Sequence, residues 1–345
     1  MTQTGLMQTW QPQRHRSAPT TDGAKLECNE NSVVGVVIPA YKVASAIGDV
    51  IRAVPVFVNI IIIVDDACPQ ASGAVAAQVG DPRVVVLNHP QNRGVGAAFK
   101  TGALKAVEFG CTIIVKVDGD GQMDPAAIPA LLYPVIDGRV ACAKANRLLY
   151  AGGWRQIPSA RRLGILALSF LTKLASGHWR SSDPTNGFFA IRSDVFTSLD
   201  ARRISDRFFF EISLVVELGA QGYAVADLPM RPSYENTESS LSPLHALVTF
   251  PGLLLLYGLR RMFLRHVWFD FTPTALLGIS GSILIAWSIT FGTYHWRLSA
   301  HTGVAATAGT VMLAALPFLL GTNLLVSGFV LEASKDFNHR VSPWL

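Results

Sequence analysis

The sequence predicts an α/β domain with a mostly parallel sheet flanked by helices, followed by interfacial helices and two transmembrane helices. Apolar, strand-like runs alternate with helical patterns in the first part of the chain, acidic residues follow two of those runs, and two long uncharged stretches lie near the end. Half of the 345 residues are hydrophobic and 15% are charged, against about 25% charged in a typical soluble protein. This composition excludes a fully soluble enzyme, a disordered protein and a coiled coil.

The charge is unevenly distributed along the chain. Residues 243–345 contain six of the 29 basic residues and three of the 24 acidic ones, so the front is ordinary globular sequence and the back is membrane-like. The net charge of +5 is too small for a dedicated nucleic-acid binder, and no nucleic-acid partner is predicted. The four cysteines are far apart and form no CxxC pair, which argues against a zinc site or a disulfide framework and fits a reducing compartment.

The first 242 residues divide into a tail and a domain. Residues 1–30 are polar and contain no signal-peptide hydrophobic segment, so we expect a flexible tail. Residues 31–242 are expected to form a domain that stays in the cytoplasm. Strands are predicted at 33–39, 59–65, 83–88, 112–117 and near 140–145, with helices at 44–54, 96–109, near 160–176 and near 207–219.

The alternation of strands and helices implies right-handed crossovers and a mostly parallel sheet. Ligands bind beyond the carboxyl ends of the strands in such sheets. Asp65 and Asp66 end the second predicted strand, and Asp118 and Asp120 follow the fourth. The sequence therefore places its candidate site at this edge of the sheet.

Two uncharged stretches predict the membrane spans. They cover residues 272–292 and 304–331, and about 20 apolar residues suffice to cross a bilayer. A third stretch, 243–259, is borderline in length, and if it crossed the membrane it would carry three arginines to the outside, against the positive-inside rule. We therefore expect 243–271 to form interfacial amphipathic helices and 332–345 to form a cytoplasmic tail. The arginines expected on the headgroups are Arg260, Arg261 and Arg265, with Trp268, Phe269 and Phe271 in the aromatic belt.

The strand-end acids have a functional and an ordinary interpretation. Asp118 and Asp120, with the oxygen of Gln122, could converge on a hard cation such as Mg²⁺ or Mn²⁺ that bridges them to a diphosphate, or they could belong to an Asp/Gly turn. Asp65 and Asp66 could accept hydrogen bonds from a ribose or base, or could cap a helix.

Three further segments carry candidate residues. Residues 92–98 resemble half of a glycine-rich dinucleotide loop, but Phe99 stands where a third glycine would be, so a nicotinamide cofactor is not expected and the small residues are expected to let a helix approach the nucleotide. Asp183 is either a base or positioning acid, or part of a tight turn. A basic cluster could clamp phosphates or form a solvated face; its members are Arg192, Arg202, Arg203 and Arg207.

Together these motifs resemble those of family-2 glycosyltransferases of the GT-A fold. The matching segments are VVIPAY at 36–41, DD at 65–66, NRGVG at 92–96, DGDGQ at 118–122, NR at 146–147, DPTNGF at 183–188, RFFFE at 207–211 and DF at 270–271. The chain resembles the polyprenyl-phosphate glycosyltransferase group, which includes dolichol-phosphate mannosyltransferase and undecaprenyl-phosphate glucosyltransferases, over about residues 33–331.

The resemblance implies roles for individual residues. Metal ligands would be Asp118, Asp120 and Gln122, holding Mg²⁺ or Mn²⁺. The nucleotide sugar would contact Pro39, Tyr41, Asp65, Asp66, Asn92, Gly94, Asp118 and Arg147. The acceptor phosphate and lipid would contact Arg192, Arg207, Arg161 and Arg162, the last two on a helix that could also be an ordinary core helix. The catalytic group would be Asp183, Asp120 and Arg192; Phe189 stands where relatives often carry an arginine, so Arg192 or Arg207 would supply that contact.

The resemblance also implies the reaction. The enzyme would transfer one sugar with inversion from a UDP- or GDP-hexose to polyprenyl phosphate on the cytoplasmic face of the inner (plasma) membrane, as a multi-pass protein and a possible homo-oligomer. A phosphate monoester is largely a dianion at pH 7, so Asp183 is expected to position rather than to deprotonate. The alternatives are a family-2 transferase acting on another lipid or a polysaccharide, and a membrane-anchored nucleotide-sugar-binding subunit without turnover.

Overall fold

A computed structural model describes residues 32–150, 159–230, 243–268 and 271–335. The predicted tail at 1–30 and residues 336–345 of the predicted C-terminal tail lie outside the described residues, as do Phe269 and Asp270. Seven strands form one sheet: β1 (Val34–Ala40), β2 (Ile60–Asp65), β3 (Val84–Asn88), β4 (Ile113–Lys116), β5 (Cys142–Asn146), β6 (Phe189–Arg192) and β7 (Val225–Pro229).

The sheet is mostly parallel, as predicted. Its order is β3-β2-β1-β4-β6-β5-β7, and only β6 runs antiparallel to its two neighbours. Strands β1 to β5 and β7 therefore present their carboxyl ends at one edge, and β6 presents its amino end there. This edge carries the acids that the sequence placed after strands two and four.

Ten α-helices are described. They are α1 (Ile47–Ala53), α2 (Ser72–Ala77), α3 (Val95–Glu108), α4 (Ile128–Ile136), α5 (Ser159–Ser176), α6 (Ser193–Ser198), α7 (Phe210–Gln221), α8 (Pro243–Phe263), α9 (Pro273–Thr302) and α10 (Ala308–Lys335). A π-helical turn, Leu264–Trp268, follows α8.

Alternate residues of the central strands face two apolar layers, because successive side chains of a strand point to opposite faces. On one face Ile38 and Ile63 pack with Leu131 of α4. On the other face Val37 and Ile62 belong to the same cluster as Phe99, Phe189 and Phe210. The continuous apolar runs of β1 and β2 reflect burial on both faces.

Helix α8 packs on the domain and bridges to the membrane-like end. Phe250 and Leu254 of α8 join a separate apolar cluster with Ala175 of α5 and Phe209 beside α7. Phe209 contacts the rings of Phe250 and Tyr257, with centroids 5.1 and 5.7 Å apart. Helix α8 is thus held by the globular domain along one side.

Helices α9 and α10 form an antiparallel hairpin and are both long and apolar enough to cross a membrane. They approach closely where small residues face each other: a Cβ added at Gly281 would lie 2.7 Å from the carbonyl oxygen of Gly321. The helices extend beyond the predicted spans, since α9 runs on to Thr302 and α10 to Lys335. Helical backbone continues there because it satisfies its own hydrogen bonds in water as well as in lipid.

The expectation that three arginines lie on lipid headgroups is wrong for Arg261, which is buried. For Arg260 and Arg265, which are half-buried and also bind protein groups, it stays a prediction. Arg260 Nη1 donates to Glu217 Oε2 at 2.8 Å, and Arg265 Nη1 donates to the carbonyl oxygen of Gly219 at 3.0 Å. Arg261 is 1% exposed and binds Glu332 of α10. The exposed aromatic side chains of Trp268 and Phe271 remain available for the predicted aromatic belt.

A buried polar joint connects the hairpin to the domain. Arg261 Nη1 donates to Glu332 Oε1 at 2.6 Å, and its Nε donates to the carbonyl oxygen of Ala175 at 2.7 Å. His266 lies between the two ends of the hairpin, with Nδ1 2.9 Å from Thr272 Oγ1 and Nε2 2.9 Å from Glu332 Oε2. The start of α9 and the end of α10 therefore lie on the same side, against the domain.

Candidate active site

The turn after β4 brings Asp118 and Asp120 together at the sheet edge. Gly119 packs against the end of β1, where an added Cβ would lie 3.5 Å from the carbonyl oxygen of Pro39. The backbone N–H of Gln122 donates to Asp120 Oδ1 at 3.0 Å, which closes the turn. Burial and the negative charge of Asp118 raise the pKa of Asp120, as expected for two neighbouring carboxylates.

Lys116, the last residue of β4, lies beneath this turn and is fully buried. Its ammonium group pairs with Asp118 Oδ1 and lies 3.4 Å from Glu211 Oε1 at the start of α7. Burial alone would lower the pKa of Lys116, but the carboxylates of Asp118 and Glu211 raise it, so the lysine is charged. Burial also raises the pKa of Glu211, against the charge of Lys116.

The donor set at this edge fits a divalent cation shared with a substrate. No group of three or more His, Cys, Asp or Glu side chains suited to a metal ion occurs among the described residues. Mg²⁺ is usually held by one or two carboxylates together with substrate phosphates and water. Asp118 and Asp120 supply two such oxygen donors, and Asp118 keeps 30% of its side chain exposed.

Asp65 and Asp66 are bound by the protein backbone. Asp65 accepts from the N–H groups of Cys68 and Gly73, both at 2.7 Å, which is the capping interpretation of this residue. Asp66 accepts from the N–H groups of Arg93 and Gly94 at 2.9 and 2.7 Å. His89 Nδ1 lies 2.7 Å from Asp66 Oδ1. These carboxylates shape the loops around the edge.

The small residues at the start of α3 pack against a protein segment, whereas their approach to the nucleotide stays a prediction. The N–H groups of Gly96 and Ala97 donate to the carbonyl oxygen of Asp206 at 2.9 and 3.1 Å. A Cβ at Gly96 would lie 2.1 Å from the carbonyl oxygen of Ser205, and one at Gly94, where φ is +102°, would lie 2.9 Å from Cγ of Arg207. This packing brings Arg207 to the loop that contains the exposed Asn92.

Asp183 forms the second charged group at the edge and is 1% exposed. Arg147, directly after β5, holds it with two bonds of 2.8 Å, from Nε to Oδ2 and from Nη2 to Oδ1. Burial would raise the pKa of Asp183, but the hydrogen bonds and charge of Arg147 and the charge of Lys144 hold it below its usual value. An ionised, doubly bound carboxylate is a poor proton acceptor and a good anchor for an arginine.

Lys144 and Asp227 support the loop that contains Asp183. They lie side by side on β5 and β7, and Lys144 donates to the carbonyl oxygen of Asp183. Asp227 accepts from Ser181 Oγ and from the N–H of Ser182, both at 2.9 Å. Burial raises the pKa of Asp227 against the charge of Lys144.

Two further residues predicted to contact the nucleotide, Pro39 and Tyr41, lie at this edge at the end of β1. Pro39 is half-buried near the end of β1, and Tyr41, the residue after β1, is 42% exposed. The N–H of Asp66 donates to the carbonyl oxygen of Ala40 at 3.1 Å. Pro39, Tyr41 and Asp66 therefore line one stretch of the edge, where the sequence predicts contacts with the base and ribose.

Arg192 does not reach this edge. It pairs in register with Ile113 at the start of β4, because β6 runs antiparallel and ends at the opposite edge of the sheet. Its guanidinium is exposed and binds Asp194, with Nη2 to Oδ2 2.5 Å. The predicted catalytic and acceptor contacts of Arg192 are corrected on this ground. Arg162 is half-buried in α5, and the side chain of Arg161 lies outside the described residues.

Four charged residues of the site were not singled out from the sequence. These are Lys116 and Lys144, which are buried, and Glu211 and Asp227, which are partly buried. A signal existed for two of them, because Lys116 and Lys144 interrupt apolar runs that otherwise read as buried strands, and buried lysines require charged partners.

Comparisons with known proteins agree with this geometry. Residues 35–199 match the sequence model of glycosyl transferase family 2. The chain is 28% identical over 160 residues to a UDP-N-acetylglucosamine–dolichyl-phosphate N-acetylglucosaminyltransferase of Methanococcus voltae, covering 46% of this chain and 62% of that protein, which is less than two thirds of its length. It is 26% identical over 173 residues to an undecaprenyl-phosphate mannosyltransferase of Micrococcus luteus, covering 49% of this chain and 70% of that protein.

A solved structure shows the same fold. Glucosyl-3-phosphoglycerate synthase from Mycobacterium tuberculosis, in complex with Mn²⁺, UDP-glucose and glycerol 3-phosphate, superposes with a TM-score of 0.52 and 20% sequence identity, covering 72% of this chain and 86% of the other. The parallel sheet with acids at its carboxyl edge is therefore a GT-A fold. Residues 35–199 therefore match the model of a family-2 glycosyltransferase domain, and the fold that contains them is that of the GT-A neighbours.

Proposed function

We propose that the protein transfers a single sugar, with inversion, from a UDP- or GDP-hexose to polyprenyl phosphate at the cytoplasmic face of the membrane. The relatives named above act on dolichyl phosphate and undecaprenyl phosphate, which supports a lipid phosphate as acceptor. The observation that carries the proposal is the buried joint in which Arg261 and His266 bind Glu332 and His266 also contacts Thr272. This joint holds both ends of an apolar hairpin against the domain that bears the acidic edge.

Helix α7 links this joint region to the site in a single turn. Phe209, which precedes α7, packs against Phe250 and Tyr257 of α8. The ring centroid of the next residue, Phe210, lies 6.0 Å from the ammonium nitrogen of Lys116. Glu211 pairs with the same lysine. The acidic edge is therefore only a few residues away from the surface of α8, which suits an acceptor that cannot leave the bilayer.

Residues 177–187 make a second link. A Cβ at Gly177 would lie 2.5 Å from Arg261 Nη1, and Trp179 packs edge-on against Phe329 of α10 with ring centroids 4.9 Å apart. The same segment continues to Asp183 and to Gly187 beside Asp118. The chain thus passes from the membrane hairpin to the charged edge within one short segment.

Exposed apolar side chains on α5 and α8 support contact with lipid. On α5 these are Leu163, Leu166 and Phe170, and on α8 they are Leu255, Leu256 and Leu259. Exposed apolar side chains of this kind on helices beside two possible spans are typical of membrane-associated domains. We place both ends of the hairpin, and the domain with them, on the cytoplasmic side, as the positive-inside rule requires for the arginines around 260.

The chain's residues divide the chemistry between two groups. Asp118 and Asp120 would hold Mg²⁺ or Mn²⁺, which when bound offsets charge on the nucleoside diphosphate leaving group. Arg147, oriented by Asp183, presents a guanidinium for a phosphate. The acceptor phosphate is largely a dianion at neutral pH, so it attacks the sugar carbon in line with the leaving group without a protein base, which inverts the configuration.

The proposal is tested with purified protein, a panel of radiolabelled nucleotide sugars and polyprenyl phosphate. We expect a lipid-extractable, singly glycosylated product with one UDP- or GDP-hexose and none with the Asp120→Asn variant. A soluble polysaccharide product, or donor binding without any transfer, would replace the proposal with one of the two alternatives named from the sequence.

A further inference from the structure

Lys116 is a buried cation whose partners are both carboxylates. It has no exposed surface and points into the same face of the sheet as Ile114 and Phe210. Its ammonium group pairs with Asp118 Oδ1 and with Glu211 Oε1. The two acids belong to different elements, the turn after β4 and the first turn of α7, so the lysine joins these elements under the edge.

The two oxygens of Asp118 have different surroundings. Oδ1 is bound by Lys116, whereas Oδ2 faces Gly187: a Cβ added there would lie 2.9 Å from Asp118 Oδ2 and 2.3 Å from Lys116 Nζ. The absence of a side chain at Gly187 therefore leaves room around the pair. Asp118 can offer one oxygen to a cation while the other stays on the lysine.

We propose that Lys116 and Glu211 form a buried charge pair that sets the affinity of Asp118 and Asp120 for a divalent cation. The inference rests on the metal-dependent function proposed above. The formal charges of the four groups, one positive and three negative, sum to −2, which one divalent cation neutralises. Lys116 acts as a positioning residue that weakens cation binding by its charge, and Glu211 strengthens it.

The sign of each effect follows from Coulomb's law in a poorly solvated site. Replacing Lys116 with Met leaves a charge of −3 at the edge and binds a cation more tightly. Replacing Glu211 with Gln leaves −1 and binds it more weakly. Making both changes restores −2, so the affinity returns toward that of the wild type. Damage to the packing would weaken binding in every variant.

The experiment is a titration of full-length protein in detergent with Mn²⁺ in the presence of UDP, read by the electron paramagnetic resonance signal of free Mn²⁺. We expect Lys116→Met to lower the Kd for Mn²⁺ roughly tenfold and Glu211→Gln to raise it roughly tenfold. The double variant is expected within about threefold of wild type. The matched control is Lys105→Met, which removes the same charge from an exposed pair with Glu108 at the C-terminal end of α3. We expect this variant to leave the Kd for Mn²⁺ unchanged.

The outcomes separate the inference from the proposed function. If the wild type binds no Mn²⁺ with UDP, the metal site itself is wrong and the inference falls with it. If the wild type binds Mn²⁺ but Lys116→Met binds it equally or more weakly, and Glu211→Gln does not weaken it, only the inference is overturned. Circular dichroism of each variant confirms folding, and the Glu211→Gln and double variants keep the test decisive if Lys116→Met does not fold.

Discussion

Replacement of Asp183 with Asn tests whether this carboxylate positions Arg147 or serves as a base. The substitution keeps the size of the side chain but leaves one carbonyl oxygen where two carboxylate oxygens accepted from Arg147 Nε and Nη2 at 2.8 Å. The amide NH₂ then faces a guanidinium that also donates. The variant therefore loses one charge-assisted hydrogen bond and the ion pair, while the loop below it remains held by Asp227.

The magnitude follows from these contacts. A hydrogen bond to a charged group contributes about 1.5–3 kcal/mol, and Arg147 keeps 26% of its side chain exposed, so we expect a loss of about 2 kcal/mol. For a domain of this size that corresponds to a fall in Tm of roughly 4–8 °C. A displaced Arg147 should reduce turnover roughly ten- to hundredfold, without abolishing it.

The pH dependence has a definite sign. Because the pKa of Asp183 is held below its usual value of 3.8, its contribution to stability is complete above that value and is lost as pH falls through the lower folded pKa. The difference in Tm between wild type and Asp183→Asn should thus be constant from pH 6 to 9. The acid limb of turnover should stay near pH 6 in both proteins, since that titration belongs to the acceptor phosphate, whose second pKa is about 6.

The assay measures sugar transfer to polyprenyl phosphate between pH 5 and 9, with thermal unfolding in parallel. The matched control is Asp194→Asn, which breaks a similar paired contact with Arg192 on the exposed opposite edge and should leave turnover unchanged. A variant that still binds donor and acceptor but shows no turnover at any pH would refute the positioning role and make Asp183 the base.

Three further predictions follow from the edge and the joint. Asp118→Ala or Asp120→Ala should lower turnover by about 10² or more, and EDTA should silence the wild type until Mg²⁺ or Mn²⁺ is restored; full activity in EDTA would contradict this. In a cysteine-free background, a cysteine at Ser299 should react with an impermeant reagent only from outside and one at Ser342 only from inside, and the reverse pattern would refute the orientation. Glu332→Gln should destabilise the protein by about 3–5 kcal/mol, seen as a lower Tm in detergent, whereas an unchanged Tm would show that the joint contributes nothing.

The strands and helices of the domain were predictable because each element shows in the hydrophobic pattern of its own residues. The runs at 33–39 and 59–65 are apolar throughout, as strands buried on both faces must be, and the structure has β1 and β2 there. The two apolar helices were equally clear from length and lack of charge. The ends of α9 and α10 were less so, because helical backbone needs no change of composition to continue past an apolar stretch.

The site was predictable in position but only partly in its contacts. Strand ends identified the edge and the acids at 118 and 120, since parallel topology gathers those ends. Arg192 was misplaced because a short antiparallel strand reverses direction without any local signal, which sends its last residue to the opposite edge. The pairing of Arg147 with Asp183 joins residues far apart in sequence, and such contacts depend on tertiary packing that periodicity does not encode.

The joint at Arg261 determines where the chain can be shortened. A chain cut between the π-helical turn and α9 would keep Arg261 and His266 but lose Glu332, and an unpartnered buried cation is strongly destabilising. A chain cut before α8 would remove that cation but would uncover the apolar cluster that Phe250 and Leu254 complete. Helix α8 therefore completes the apolar interior of the domain, and the hairpin supplies the partner of its buried arginine. A shortened chain would need new residues at both surfaces.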